Sequence, residues 1–185
     1  MKKKRCSWCE KDNLYRNYHD NEWGNPIYDD ETIFEFLVLE TFQAGLSWYT
    51  ILSKRENFRK AFNNFDFEKI AQYSPKKLEL LAEDSGIVRN KLKIKATVTN
   101  AQAFIKIREE FGTFSKYIWG FVDGKPIDNN PKTLNDVPAT TEISDKLSKD
   151  LKKRGFKFVG STVVYAHMQA TGMVNDHVED CWKRE

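Results

Sequence analysis

The segment LSKDLKKRGFKFVGSTVVYAHMQATG, residues 147–172, has the pattern of two helices separated by a short turn with a glycine at each end. Basic side chains outnumber acidic ones along the first helix and the turn. Gly155 and Gly160 allow the backbone to come close to a partner, and the free amides at the start of the second helix form an anion site suited to phosphate. The segment therefore predicts contact with a phosphate backbone.

Two helices around such a turn form a helix-hairpin-helix, which we place at about residues 141–172. Contacts of this kind hold DNA of any sequence, because they meet phosphates rather than base edges. We expect them at Lys153, Lys157, Gly160 and Ser161, with Ser161 also capping the second helix. The alternative is a helical corner whose basic face is only solvated. Glycines, basic side chains and a helix N-terminus coincide within one turn, which favours DNA.

The rest of the chain also predicts helices, and it contains no strong alternating strand and no internal repeat. Asp29 and Asp30 can cap a helix that is apolar nearly all round its circumference, so we expect that helix to be buried. Further helices are expected at residues 48–62, 74–86, 88–110, 112–121 and from Thr141 or Ser144 to Gly155, with a connecting loop at residues 122–141. The predicted class is all-α, in one globular domain of residues 1–185 that can comprise two helical lobes.

The composition is that of a soluble globular protein, with 185 residues, 40% of them hydrophobic and 31% charged. The longest apolar runs are far shorter than the roughly 20 residues that a membrane span requires, and the basic N-terminus leads into polar sequence rather than a signal peptide. We expect a cytoplasmic monomer without a membrane partner. In that compartment the three cysteines, at positions 6, 9 and 181, indicate metal binding or burial rather than disulfides.

Glu40 lies in the stretch LETFQAGLSW, inside the most apolar predicted helix. A buried carboxylate is costly unless another group pairs with it. One interpretation is a hydrogen-bonded structural glutamate, for example a cap for a neighbouring helix. The other is that the partner of Glu40 is a ligand.

Aromatic residues are dense in the same part of the chain, at Trp8, Tyr15, Tyr18, Trp23 and Trp48. Such residues usually pack a core. Beside one buried anion, however, they can form a pocket for a flat cation, held by stacking, cation-π attraction and charge. A methylated purine in DNA is such a cation.

The stretch NDHVEDC, residues 175–181, separates His177 and Cys181 by four positions. If the stretch is helical, the two side chains lie on one face and can share a ligand. A complete site needs two more donors from elsewhere.

Four stretches, YHDNEWG, LETFQAGLSW, RGFKFVG and NDHVEDC, together resemble the bacterial 3-methyladenine DNA glycosylase I family, and the resemblance covers residues 6–181. Members of that family are helix-hairpin-helix proteins with a structural zinc ion. The resemblance implies a base-excision repair enzyme that acts on double-stranded DNA containing alkylated bases. Such an enzyme flips an N3-methylated adenine out of the duplex, hydrolyses its glycosidic bond, releases free 3-methyladenine and leaves an abasic site.

The resemblance also implies one structural zinc ion per chain, which joins the N- and C-terminal segments, with ligands at Cys6, His19, His177 and Cys181. Cys9 leaves an alternative open, because CSWC is itself a plausible chelating pair in which Cys9 could displace one expected ligand. His167 matches no ligand position, and we interpret it as structural.

In the same family resemblance, Glu40 is the acidic pocket residue and the catalytic candidate. Trp48 and Tyr18 would lie against the base, and the wall would be shaped by Trp8, Tyr15 and Trp23. Other helix-hairpin-helix glycosylases place a catalytic aspartate just after the hairpin, but STVVYAHMQATG contains no acid. The chemistry is then limited to substrates whose bond is already weak.

No lysine is marked by the sequence as a Schiff-base nucleophile, so we expect a monofunctional hydrolase that does not cleave the strand. The competing hypothesis is a non-catalytic helix-hairpin-helix protein that binds DNA or a modified base. A zinc-clipped protein-interaction module would leave the basic hairpin unexplained.

Overall fold

The computed structural model describes residues 3–184, and within them the fold is built from ten α-helices. The helices are α1 Asn13–Asn21, α2 Asp30–Gln43, α3 Trp48–Leu52, α4 Arg55–Ala61, α5 Phe67–Ile70, α6 Pro75–Glu83, α7 Lys91–Phe111, α8 Phe114–Trp119, α9 Glu142–Lys153 and α10 Ser161–Ala170. Short 3-10 turns lie at Ser7–Cys9, Asn63–Phe65, Gly120–Val122, Leu134–Asp136 and Trp182–Arg184. The predicted helical class is confirmed. None of the helices in this part of the chain is long and apolar enough to cross a membrane.

Helix α2 runs through the core, as its all-round apolar pattern predicts. Asp29 caps it by accepting a hydrogen bond from the Thr32 amide at 2.8 Å. The expected second cap is wrong, because the Asp30 carboxylate instead accepts from the amides of Phe114 and Ser115 and so caps α8. Helix α2 packs against α7 and α10, and this places Glu40 in the interior.

Some predicted helix boundaries are wrong. The helix expected at residues 48–62 is two helices, α3 and α4, because the chain turns at Ser53 and Lys54. After the turn, the buried guanidinium of Arg55 lies between Glu22 and Glu35, at 2.5 and 2.6 Å. Helix α6 ends at Glu83 rather than at Gly86, and α7 begins only after its Asn90 cap. Helices α1 and α5 were not predicted.

Helices α9 and α10 form a helical hairpin, and they pack closely against each other. Thr141 caps α9 in a capping box with Ser144, and Gly155 follows its C-cap with φ +98°. The expected cap of α10 is wrong: Gly160 is the N-cap, and Ser161 is the first helical residue. The Ser161 hydroxyl is occupied by Ser144 Oγ at 2.8 Å. The start of α10 is therefore left without a side-chain cap.

The loop between α8 and α9 is mostly irregular, as predicted, but it contains one short parallel strand pair. Strand β1 (Ile127–Asp128) pairs with β2 (Val174–Asn175), with Ile127 opposite Val174. Two residues are too few for an alternating pattern, so the sequence gives no sign of this pair. The pairing fixes the segment after α10 against the loop.

Candidate functional site

A cavity of about 350 Å³ lies where α1, α2, α3 and α10 meet the 3-10 turn at Ser7–Cys9. All six residues that the sequence predicts for a base pocket are in its wall. The lining residues are Trp8, Tyr15, Tyr18, Trp23, Glu40, Gln43, Trp48, Leu134, Val137, Ala166, Gln169 and Asp176. The volume and the aromatic lining suit a flat ligand.

The aromatic side chains of the wall hold one another at steep angles. Trp8 meets Trp23 with ring centroids 5.1 Å apart and planes at 74°, and it meets Tyr15 at 5.3 Å and 82°. The rings of Tyr18 and Trp48 lie 5.4 Å apart in a tilted contact, with their planes at 47°. Edge-to-face contacts of this kind are favourable and fix ring orientation, so the wall is organised before a ligand enters.

Glu40 is the one acid of α2 that is buried, with 3% of its surface exposed. Its Oε2 atom has no hydrogen-bond partner among residues 3–184, and neither does the indole Nε1 of Trp48. Burial raises the pKa of the Glu40 carboxyl to about 8. A structural cap would show a donor on the buried oxygen, so the geometry favours a ligand as the partner.

The sequence interpretation missed six of the lining residues. Gln43 follows Glu40 by three positions on α2, so helical spacing from Glu40 could have found it. Ala166 and Gln169 lie three positions apart on α10, but no predicted base-pocket residue on that helix marks the side that faces the cavity. Leu134 and Val137 lie in the loop between α8 and α9, whose prolines indicate irregular structure but no binding site. Asp176 directly precedes His177, and the spacing of the metal ligands His177 and Cys181 gives no reason to expect a pocket residue there.

The four predicted metal ligands meet at one buried point. The ligand atoms of Cys6, His19, His177 and Cys181 all lie within 4.8 Å of one another. Cys181 Sγ is 3.4 Å from His19 Nε2 and 3.5 Å from His177 Nδ1. Bond lengths of about 2.0–2.3 Å to a tetrahedral ion place ligand atoms roughly 3.5 Å apart. The donor set and its spacing could therefore hold a metal ion.

The stretch that contains His177 and Cys181 is not helical, but its two donors do meet. Residues 178–181 form a turn in which the Cys181 amide donates to the Val178 carbonyl at 2.8 Å. His177 and Cys181 come together through that turn. Val178, which lies between them, packs in one cluster with Cys6 and Trp8 of the N-terminal segment.

Each histidine of this group has a partner for its second ring nitrogen. His19 Nδ1 lies 2.9 Å from Asp20 Oδ1, and Arg5 in turn holds the Asp20 carboxylate at 2.8 Å. His177 Nε2 lies 3.2 Å from the Trp23 carbonyl oxygen. These contacts direct His19 Nε2 and His177 Nδ1 toward the thiols, as outer partners of metal-binding histidines do.

Cys9 lies outside the group of four. Its thiol is buried and donates to the Cys6 carbonyl oxygen at 3.1 Å. Burial raises the pKa of this thiol to about 11, and its sulfur atom is not among the four ligand atoms that converge. The structure therefore brings together the four expected donors without Cys9.

The helical hairpin presents the other predicted residues. Lys153 and Lys157 are exposed, and Gly160 is partly exposed. No backbone acceptor within the described chain takes the amides of residues 161–163, so these donors remain free. Phe158, at the turn, is 39% exposed and has φ +56°, an uncommon conformation for an aromatic residue.

Comparison with known proteins places this geometry in a family. A family model described as methyladenine glycosylase matches residues 8–184. The chain is 48% identical to DNA-3-methyladenine glycosylase 1 of Escherichia coli (strain K12), over 96% of this chain and 95% of that protein. It is 46% identical to DNA-3-methyladenine glycosylase of Haemophilus influenzae, over 96% of each.

Solved structures agree with the sequence comparison. A crystal structure of 3-methyladenine DNA glycosylase I matches with a TM-score of 0.94 at 46% identity, covering 97% of this chain and 98% of that one. A structure that describes 3-methyladenine recognition by the Staphylococcus aureus enzyme matches with a TM-score of 0.95 at 40% identity, covering 98% and 96%. With this fold, this cavity and these relatives, the chain belongs to the methyladenine glycosylase family.

Proposed function

We propose that this protein is a base-excision repair glycosylase that removes 3-methyladenine from alkylated DNA and leaves an abasic site. The observation that carries the proposal is the buried Glu40 carboxylate, which lacks a partner and lies in an aromatic cavity. The relatives named above, which are 3-methyladenine glycosylases, support the choice of substrate.

Methylation at N3 makes adenine a cation, and a cationic base is a good leaving group. Flipping the damaged nucleotide costs a few kcal/mol, and stacking in the cavity can return that energy. Glu40 accepts a hydrogen bond from the exocyclic amine, and the positive base favours the ionised carboxylate. The electron pair of the glycosidic bond then moves to the base, which leaves neutral. Water attacks the sugar carbon and loses one proton to the solvent, which gives the abasic site.

The DNA contact that fits this chemistry is a helix-hairpin-helix built from α9 and α10. Lys153, Lys157, Gly160 and the free amides of residues 161–163 are suited to hold phosphate without reading sequence. Among the described residues, no lysine lines the cavity, which supports a monofunctional hydrolase that leaves the strand intact. We propose one domain, residues 1–185, that acts as a monomer, because the cavity, the hairpin and the donor group all lie within one chain.

The metal that fits the donor group is zinc. Two thiols and two imidazoles form a closed tetrahedral set, which is typical of structural zinc sites. Cys6, His19, His177 and Cys181 would hold the ion, and it would join the N- and C-terminal segments. The base chemistry does not use it.

Release of free base from methylated DNA tests the function. The parent protein should release 3-methyladenine, detected by chromatography of the freed bases, and should leave the strand uncut. Glu40→Gln keeps the shape of the side chain and removes its charge, so release should fall by roughly a hundredfold or more. Glu31→Gln, an exposed site on the same helix, is the matched control and should retain activity.

The outcomes separate the two hypotheses. Release at the parental rate by Glu40→Gln would end the recognition role of this residue. Tight binding of methylated DNA without any freed base would instead identify the non-catalytic DNA-binding protein.

A further inference from the structure

Asp176 is a second buried carboxylate in the cavity wall, and in the described part of the chain it accepts hydrogen bonds from neutral side chains only. Its Oδ2 accepts from Tyr165 Oη at 2.6 Å and from Gln169 Nε2 at 2.8 Å, and its Oδ1 accepts from Asn129 Nδ2 at 2.7 Å. The side chain is 1% exposed, and no lysine or arginine of residues 3–184 forms an ion pair with it. The carboxylate is therefore a rigid acceptor.

Gln169 both lines the cavity and donates to this carboxylate. A glutamine amide has a donor end and an acceptor end, and half a turn of the amide exchanges them. A carboxylate only accepts, so the Nε2 end must face Asp176, since the reverse orientation would bring two oxygen atoms together. Gln169 Oε1 has no hydrogen-bond partner in the described chain. The free end of this amide is thus an acceptor.

Gln43, the other amide in the cavity wall, differs in this respect. Its side chain makes no hydrogen bond to any of residues 3–184, so either end can face a ligand. The Asp176 carboxylate fixes the orientation of the Gln169 amide and makes no hydrogen bond to the Gln43 amide. An amide with a fixed orientation selects between ligands, because an amide that is free to turn can bind either a donor or an acceptor of the ligand.

We infer that Gln169 accepts a hydrogen bond from the exocyclic amine of the flipped base, and that Asp176 is the positioning residue that keeps it an acceptor. This inference rests on the proposed function. The exocyclic amine carries the N–H groups that 3-methyladenine can offer to an acceptor, and its two hydrogens suit two acceptors, Glu40 and Gln169. A guanine-type base carries a carbonyl oxygen in the same place and would meet an acceptor there. The pair therefore favours adenine-type bases over guanine-type bases.

Asp176→Asn tests the positioning role. The variant keeps the shape of the side chain, but asparagine can donate or accept, so the Gln169 amide becomes free to turn. Binding of free 3-methyladenine and of free 3-methylguanine is measured by the fluorescence of the tryptophans that line the cavity. The preference for the adenine base should fall by roughly threefold to tenfold, the effect of one neutral hydrogen bond. Glu40 is the same in both proteins, so the change reports the amide.

Two further variants complete the design. Gln169→Leu should weaken 3-methyladenine binding by a similar factor, roughly threefold to tenfold, with no gain for 3-methylguanine. Tyr165→Phe removes another donor from the same Asp176 oxygen and leaves the Gln169 bond in place, so the base preference should not change. Melting temperature and metal content are recorded for each protein, because Asp176 adjoins His177.

Each outcome decides something. An unchanged preference in folded Asp176→Asn overturns the positioning role. Unaltered free-base binding by Gln169→Leu, with slower release from DNA, assigns Gln169 to the water or the sugar and overturns base recognition. Should Asp176→Asn fail to fold, the Gln169→Leu result still decides whether Gln169 recognises the base, and unaltered binding would overturn the inference, because Asp176 can position only an amide that contacts the base. A parent protein that neither binds nor releases 3-methyladenine contradicts the proposed function instead.

Discussion

At the scale of single residues, the cavity contains two acids that are equally buried and differently stabilised. Asp176 accepts three hydrogen bonds, whereas Glu40 has a carboxylate oxygen with no partner in the described structure. Desolvation disfavours the charged form of an unpaired acid. Asp176 therefore contributes to the folded structure, and Glu40 opposes it until a ligand binds.

The unfavourable burial of Glu40 should appear as a pH dependence of stability. Its pKa is about 8 in the folded protein against an ordinary value of 4.5, so between these values the folded state binds a proton that the unfolded state has lost. Stability must then fall as pH rises through this window. Glu40→Gln lacks the effect, and its melting temperature should exceed that of the parent by a margin that grows from pH 5 to pH 8. A margin independent of pH would contradict the assignment.

His167 is a second residue whose burial opposes folding. Both of its ring nitrogens lack a partner among residues 3–184, and burial lowers the pKa of the ring to about 3. Below the ordinary value of 6.5, the unfolded state takes up a proton that the folded state does not, so stability falls as pH falls toward 3.

His167→Phe should therefore stabilise the protein by about 1–3 kcal/mol, the cost of an unsatisfied buried polar group. The gain in the free energy of unfolding should be larger at pH 5 than at pH 7.5, as measured by denaturant titration. His167→Asn, which keeps unpaired polar atoms in the same place, is the control and should bring no gain. A loss of stability in His167→Phe would mean that the ring has a bound partner such as water.

At the scale of elements, the sequence predicts what local chemistry determines. The cap at Asp29, the start of α6 at Ser74 and Pro75, and the hairpin of α9 and α10 all follow from side chains within a few residues. The division between α3 and α4 does not follow from such local side chains, and Arg55, which begins α4, pairs with acids at least 20 positions away. The turn at residues 178–181 cannot be predicted locally either, because it packs against the N-terminal segment.

The hairpin is the element on which DNA affinity should depend. Lys157→Glu should weaken binding to duplexes of any sequence, and the slope of log affinity against log salt should become shallower by about 1. Gel-shift titrations at several salt concentrations, from roughly 50 to 200 mM, measure both the affinity and its dependence on salt. Lys76→Glu on α6 makes the same charge change outside the hairpin and should have little effect.

The Lys157→Glu variant should also be tested for binding of free 3-methyladenine. This binding should be unchanged, because the exposed side chain of Lys157 does not line the cavity. DNA affinity that is indifferent to salt in the parent would show that the hairpin is not the site of contact.

At the scale of the whole molecule, the donor group depends on contacts that no local pattern contains. Cys6 and His177 are 171 positions apart, and their ligand atoms lie 3.7 Å from each other. Spacing alone indicates two pairs, His177 with Cys181 and Cys6 with Cys9, whereas His19 and the choice of Cys6 over Cys9 follow only from the family resemblance. The bonds among Asp176, Gln169 and Tyr165 could not be predicted either, since they form only when the segment after α10 returns to the cavity.

The metal content of the purified protein should be about one zinc ion per chain. His177→Ala and Cys181→Ser should each lower the metal content and the melting temperature together, because binding energy of the ion is also folding energy. Cys9→Ser should retain the metal, since this thiol bonds to a backbone carbonyl rather than joining the donor group. Elemental analysis beside thermal unfolding makes the measurement, and full occupancy in both ligand variants would exclude the site.

The contact of Trp23 with His177 has a consequence for the order of events during synthesis. The two rings lie 4.6 Å apart, so Trp23, which lines the cavity, packs against a side chain that is synthesised more than 150 residues later. At roughly 5–20 residues per second, on the order of ten seconds pass between the two. A nascent chain that already has Glu40 and the aromatic residues thus still lacks part of their support. We expect the ability to hold a damaged base to be acquired near the end of translation, when His177 and Cys181 reach the N-terminal segment.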